Sequence, residues 1–278
     1  MPDIDLSCGT IEYGDTGGDG PVLVFLHGLT MDGTLWRHVV DRLQPEYRCI
    51  TPTLPLGGHR RPMNPDADLS LLGMGLLVGE FVERLDLSGV TLIQNDWGGA
   101  QVLIANGPTD RIARLVLTAC EAFDNYPPGI SRKMLTAAMR IPGGGAVLMN
   151  ALRFTPIRRA PGSWGWMSKR PVPKAVMDNW FRPATTEPFI RRDLRKYVLS
   201  VPDEETLLRW AQDNASFAKP VLIVWGTEDK VMPIDHARRL AQLYPVSTLV
   251  ELADTYTLIP EDRPDALARE IGDFVPRV

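Results

Sequence analysis

The sequence predicts an α/β protein: a mostly parallel sheet of eight strands, helices on both faces and one inserted helical lid. Three observations predict it. Short apolar or β-branched runs, PVLVFLHG at 21–28, VTLI at 90–93 and PVLIVWG at 220–226, read as buried strands of a mostly parallel sheet, and residues 113–120 read as another strand. Stretches with apolar residues at helical spacing separate most of these runs. Between about 124 and 213 the alternation stops, and proline, arginine and tryptophan accumulate in YPPGI, TPIRRAPGSWGW and KRPVPK. Residues 1–123 and 214–278 are therefore assigned to an α/β core and 124–213 to a helical cap.

Taken in order, residues 4–13 alternate well enough for one or two antiparallel strands, and GDTGGDGP is a turn-rich connection. After the strand at 21–28, LTMDGTLWRHVVDRL carries Leu35, Trp36, Val39, Val40 and Leu43 at helical spacing. Tyr47 to Leu54 is the next strand, and a long loop leaves its carboxyl end. Ser70 caps a helix bearing Leu72, Leu76, Leu77, Phe81 and Leu85. The strand from Val90 turns at Asp96 and Gly98-Gly99 into a helix, and Ala113 to Cys120 is a strand ending at Glu121. Beyond the cap come the strand at 220–226, a helix from Ile234 to Leu243, a strand from Thr248 to Leu252 and a last helix from Ala266 to Phe274.

Of the 278 residues, 44% are hydrophobic and 23% charged, ordinary values for a globular enzyme. No apolar stretch is long enough to cross a bilayer, and the start MPDIDLS lacks the basic and apolar regions of a secretion signal, so a cytoplasmic protein without a membrane partner is expected. Cys8, Cys49 and Cys120 are widely separated and imply no disulfide, and His27, His38, His59 and His236 show no metal-ligand spacing. There is no Walker loop, and Gly143-Gly144-Gly145 follows no strand and reads as a turn; neither cofactor nor metal is expected. The net charge of −4 is uneven: residues 130–199 hold fourteen Lys and Arg against Asp178, Glu187 and Asp193, a local +11. That basic segment either steers an anionic small-molecule substrate or docks the cap on an acidic core. Nucleic acid is not an expected partner of so acidic a chain.

The stretch VTLIQNDWGGAQ, 90–101, is where chemistry is expected. A strand turning into a helix over one residue flanked by small neighbours is the geometry of a nucleophile elbow, which thrusts a side chain out over the sheet. Here that side chain is Asp96, and a carboxylate can attack an electrophilic carbon without first losing a proton. The alternative is an aspartate that caps the following helix.

The string NDWGG resembles the elbow of haloalkane dehalogenases and epoxide hydrolases of the α/β-hydrolase superfamily, and HGxxxxxxLWR from His27 resembles the dehalogenase pattern in length and type. The resemblance implies the α/β-hydrolase fold, a small organic substrate, Asp96 as nucleophile and the backbone N–H groups of Leu29 and Trp97 as donors to an oxyanion or halide. Trp36, Trp97 and Thr257 join the substrate-binding set, and His27 supports its loop. Trp164, Trp166, Met167, Trp180 and Phe181 either line a pocket from above or form the core of the cap.

Two further carboxylates compete for the role of catalytic acid. GTEDKVMP resembles the superfamily segment that supplies it, naming Asp229, while some members take it from just after the strand that ends at Glu121. The third member of the set, a histidine, is missing: the family ending GHFxxEDxP, aligned on PEDRP, puts Thr257 where it should stand. Ester formation on Asp96 needs no base, but its hydrolysis does, and losing one costs ~10²- to 10⁴-fold in that step. Either His59, in a loop at the same sheet edge, substitutes, or Asp96 works as an acid or base in an isomerase, cyclase or lyase reaction, or the pocket only binds a ligand. Buried without a cation, Asp96 or Glu121 is expected to have a raised pKa.

Overall fold

The computed structural model describes residues 1–126 and 128–276, with the backbone alone for 129–133; Pro127 of the YPPGI stretch lies outside them. Eight strands form one sheet in the order β1-β2-β4-β3-β5-β6-β7-β8. They are β1 (Asp3–Leu6), β2 (Gly9–Asp15), β3 (Val22–Leu26), β4 (Arg48–Pro52), β5 (Val90–Asp96), β6 (Ile112–Cys120), β7 (Val221–Gly226) and β8 (Ser247–Leu252). β1 and β2 are antiparallel to their neighbours, and every pairing from β4 to β8 is parallel. This is the predicted mostly parallel eight-stranded sheet. The central strands are its driest part: every residue of β5 and β7 is buried. The apolar run of β7 and the apolar start of β5 follow, because helices cover both faces and neither side of the strand meets water.

The helices of the first half are α1 (Arg37–Leu43), preceded by a 3-10 turn at Gly33–Trp36, α2 (Leu71–Arg84) and α3 (Gly99–Asn106). The helix read through Leu35 and Trp36 thus begins as a tighter turn. Asp32 starts it, its side chain accepting the Thr34 N–H, and Ser70 caps α2 as predicted, accepting the Gly73 N–H at 3.0 Å. Between β6 and β7 lie α4 (Gly129–Arg140), α5 (Gly144–Ala151), α6 (Thr155–Arg158), α7 (Lys174–Thr186), α8 (Pro188–Leu199) and α9 (Glu204–Asp213). The chain closes with α10 (Ile234–Leu243), a single turn α11 (Ile259–Asp262) and α12 (Pro264–Phe274). Among the described residues no helix is long and apolar enough to cross a membrane.

The inserted helices are fastened to the sheet by buried carboxylates. Asp262, in α11, accepts the backbone N–H groups of Lys169, Arg170 and Tyr256 and the hydroxyl of Ser168. Around it, Lys169 pairs with Glu228 at 2.7 Å and Arg170 with Asp254. On the other side Asp193 of α8 is wholly buried and holds the loop after β4, taking the Met63 N–H at 2.8 Å and facing His59 Nε2 at 3.3 Å, while Arg192 caps its second oxygen. Much of the basic charge read from the sequence therefore docks these helices.

Asp193 is the most exposed of these arrangements to a single change. Asp193→Ala strands the buried Met63 N–H and His59 without acceptors, an expected loss of ~2–4 kcal/mol in chemical denaturation. A loss below ~0.5 kcal/mol would show that this carboxylate does not hold the loop.

Candidate active site

Asp96 ends β5 with φ of 65°, in the left-handed region that non-glycine residues rarely adopt. The Trp97 N–H turns back to the Asn95 carbonyl at 2.8 Å, closing a three-residue turn about Asp96, and the Glu121 N–H fixes the Asp96 carbonyl at 2.8 Å. Thr30, Ala119 and Phe123 also have positive φ, at the carboxyl ends of β3 and β6, so unfavourable backbone gathers at this sheet edge. The parallel pairing of β3 with β5 brings Gly28 against Asp96 so closely that a Cβ on Gly28 would lie 2.0 Å from Asp96 Oδ2. Into that gap the Leu29 N–H donates to Oδ2 at 3.1 Å. Gly99 is required for a similar reason, since a Cβ there would meet the Trp97 ring at 2.0 Å. Of the two amides named from the sequence, that of Leu29 faces the carboxylate and that of Trp97 is engaged by Asn95.

Three carboxyl groups share this edge, and each titrates high. Burial pushes Asp96 up to about 7; the Leu29 N–H pulls the other way, and the charge of Asp229 adds to the rise. Burial likewise lifts Asp229 to about 6, against the Met232 and Val231 N–H groups and the Thr257 hydroxyl that donate to its Oδ1. Its Oδ2 is buried with no partner among the described residues. Glu121 is raised well above the ordinary range by burial and by the neighbouring Asp96. Its Oε2 accepts from the Tyr197 hydroxyl of α8 at 3.4 Å.

Thr257 is fully buried, 2.9 Å from Asp229 Oδ1, and its carbonyl accepts from Asn95 Nδ2 at 2.7 Å. The histidines are all engaged or placed elsewhere. His27 accepts the Leu54 N–H at Nε2 and its Nδ1 lies 2.8 Å from the Gly28 carbonyl, so it is a neutral imidazole holding its loop, and burial lowers its pKa to about 4. His59 accepts the Gly57 N–H and faces Asp193. His38 lies in α1, and His236 packs on Phe123 with ring centroids 5.8 Å apart. Among the described residues no hydrogen bond or ion pair joins an imidazole to Asp96, Asp229 or Glu121.

The aromatic residues divide. Trp97 and Tyr197 meet edge to face, 6.3 Å between centroids, and the Trp97 indole N–H is buried without a partner among the described residues. Trp36 packs in the core on Phe25 at 5.1 Å. Trp180 donates to Thr34 Oγ1 at 2.9 Å, and Phe181 packs on Trp164, so these rings fasten the inserted helices and pack among themselves. A cavity of about 290 Å³ lies by β2 and β4, lined by Asp15, Asp32, Arg37 and Arg60 among others, and a void of about 10 Å³ lies between α3 and α9. Neither is lined by Asp96, which is 6% exposed.

Sequence reasoning missed Tyr197, Asn95 and Gln101, whose Nε2 donates to the Glu121 carbonyl at 2.7 Å. Asn95 had a readable signal, being a polar residue next to the elbow, after the apolar start of its strand. Tyr197 had none, since a tyrosine in an amphipathic helix looks like any other amphipathic residue.

A family model described as alpha/beta hydrolase fold matches residues 21–264. The chain is 25% identical to a haloalkane dehalogenase of Mesorhizobium japonicum, over 97% of this chain and 89% of that protein. It is 29% identical to a cis-3-alkyl-4-alkyloxetan-2-one decarboxylase of Xanthomonas campestris, over 96% and 92%. The crystal structure of an alpha/beta hydrolase fold protein from Burkholderia ambifaria superposes with a TM-score of 0.75 at 22% identity, covering 98% of this chain and 97% of that one.

The raised pKa of Asp96 is also a stability statement. Relative to an unfolded value of 3.8, a folded value of about 7 adds no pH-dependent cost below 3.8, a cost that grows as pH rises from there to about 7, and a constant cost above it. Asp96→Asn removes that cost, so it should stabilise the fold by ~1–3 kcal/mol at pH 8 and by little at pH 4. Thermal melts at the two values check this, and an equal effect at both would contradict it.

Proposed function

This chain belongs to the α/β-hydrolase-fold family, and on that premise we propose that Asp96 is a covalent nucleophile toward a small organic electrophile. The observation that carries the reading is the Asp96 carboxyl group on a left-handed corner at the carboxyl end of β5, with the Leu29 N–H on one oxygen. An oxygen of Asp96 attacks carbon, and the carbon–halogen bond, or a carbon–oxygen bond of a strained ring, breaks with its electron pair on the leaving atom. An alkyl ester of Asp96 remains. Haloalkanes and epoxides are the first substrates to consider, and an oxetan-2-one, the class in the name of the Xanthomonas relative, is a strained electrophile of related kind.

Release is where this chain departs from a hydrolase with a histidine. Thr257 donates to Asp229 but has no basicity with which to take a proton from water. The ester on Asp96 is therefore expected to outlive its formation. Access to a carboxyl group so buried also requires side chains over it, Tyr197 of α8 among the neighbouring ones, to move.

A second reading is favoured by the pairing of Asp96 with Asp229. Two carboxyl groups with values of about 7 and about 6, each raised chiefly by burial, suit proton transfer near neutral pH. On that reading the substrate is isomerised, cyclised or cleaved without an adduct.

Incubation with reactive haloalkanes, epoxides and oxetan-2-ones, followed by intact mass measurement, separates the two. The nucleophile reading expects a stable mass gain, equal to the alkyl group less one hydrogen for a haloalkane and to the whole molecule for an epoxide or oxetan-2-one, and absent in Asp96→Asn. Product without any adduct favours the proton-transfer reading, and an unmodified mass with no product removes both. Because attack needs the ionised form, the labelling rate should climb with pH, reach half its maximum near 7 and level off above it. Thr257→His, which sets an imidazole beside Asp229, should shorten the adduct lifetime by ~10-fold or more.

A further inference from the structure

The three helices that follow β6 present an apolar face to solvent. On α4, Met134 and Ala137 stand about one turn apart, and Ile141 follows directly after its last residue; all three are exposed, Met134 to 60% and Ile141 to 61%. Further exposed apolar side chains follow along α5 and α6. The chain there runs in nearly unbroken helical turns, with the Phe154 N–H on Ala151 and the Ile157 N–H on Phe154. Val147, Phe154 and Ile157 stand out 72%, 65% and 45% exposed. Large apolar side chains this open, on consecutive packed helices, are unusual for a surface that meets only water.

The charge around this face has one sign. From residue 125 to 177 there is no Asp or Glu, while nine Lys and Arg occur. Some dock the insertion, as Lys169 and Arg170 do on Glu228 and Asp254, and Arg158 is buried on Asp178. Arg140, Arg153 and Arg159 are different. They are exposed, lie beside Ile141, Phe154 and Ile157 in the sequence, and form no ion pair among the described residues.

We propose that the exposed face of α4, α5 and α6 is a docking surface for an anionic lipid bilayer, with the apolar side chains entering the headgroup boundary and the arginines meeting lipid phosphates. Apolar residues beside cations, with no carboxylate among them, is the composition of a helix lying in the membrane interface. No spanning segment is needed for this. A symmetric pair of copies through the same face fits less well, because it would set Arg140, Arg153 and Arg159 against their own equivalents without a counter-charge. The proposal is independent of the chemistry of Asp96.

Cosedimentation of the full chain with vesicles tests it. Vesicles of phosphatidylcholine with 30% phosphatidylglycerol (about one anionic lipid in three) should bind at least ~10-fold more protein than pure phosphatidylcholine, and the excess should fall with added salt. Phe154→Ser with Ile157→Ser, and separately Arg140→Glu with Arg153→Glu, should each lower that binding ~10-fold or more with an unchanged melting temperature. No binding to either vesicle, or equal binding to both, overturns the proposal on the wild-type chain alone. So does a concentration-dependent dimer in sedimentation velocity that the serine pair dissolves.

Discussion

The close approach of the β3 loop to the end of β5 is the constraint on which the rest of the site depends. With Leu26 opposite Gln94 in the parallel register, the chain leaving β3 passes directly across the Asp96 side chain, and position 28 has no room for a Cβ. That contact does two things at once. It buries the carboxyl group, which raises its pKa, and it delivers the Leu29 amide to Oδ2, which is the only hydrogen bond to that carboxylate among the described residues. His27 belongs to the same device, pinned on both ring nitrogens so that the loop carrying Gly28 and Leu29 stays where the approach requires.

The protein handles buried acids in two ways, and the contrast marks the site. Asp193 and Asp32 are as buried as Asp96, and burial alone would raise them. Yet donors from His59, Met63 and Arg192 hold Asp193 below its ordinary value, and Thr34 and Arg60 do the same for Asp32. These are structural carboxylates, and their number of donors says so. Among the described residues Asp96 has one donor and no ion-pair partner, Asp229 leaves an oxygen unpartnered, and Glu121 has a long contact to a tyrosine. Three sparsely hydrogen-bonded acids at one sheet edge carry a cost in stability that the donors around Asp193 and Asp32 remove there.

How much of this was legible in the sequence follows from the range of the forces involved. The sheet could be read because burial on both faces writes itself as uninterrupted apolar runs, and the elbow because close packing at its corner demands the glycines that stand in the chain at 98 and 99. Thr257 was readable as a departure from a pattern, and its hydroxyl does reach Asp229. The rest depends on long-range placement. Nothing local says that Asp193 of α8 closes on a loop more than a hundred residues earlier, that Tyr197 one turn on reaches Glu121, or that Trp97 turns its amide back to Asn95. The tryptophans show the limit well: Trp36, Trp180 and Trp164 have the composition of a substrate pocket, and packing placed them in the core and in the seams of the inserted helices.

Thr257 also bears on why Asp229 stays in place without an imidazole to orient. A carboxylate at this corner accepts two backbone N–H groups from its own turn whatever stands opposite, so the turn at 229–232 is stable by itself. The threonine hydroxyl adds a third donor to the same oxygen and keeps the second oxygen bare. The result is an acid raised to about 6 beside another raised to about 7, with no group between them that titrates in that range. Burial is the first cause of both rises, so each acid keeps its proton to a higher pH than an exposed carboxyl group does. Two carboxyl groups raised chiefly by burial, with no ion-pair partner for either among the described residues, are therefore what this edge of the sheet carries.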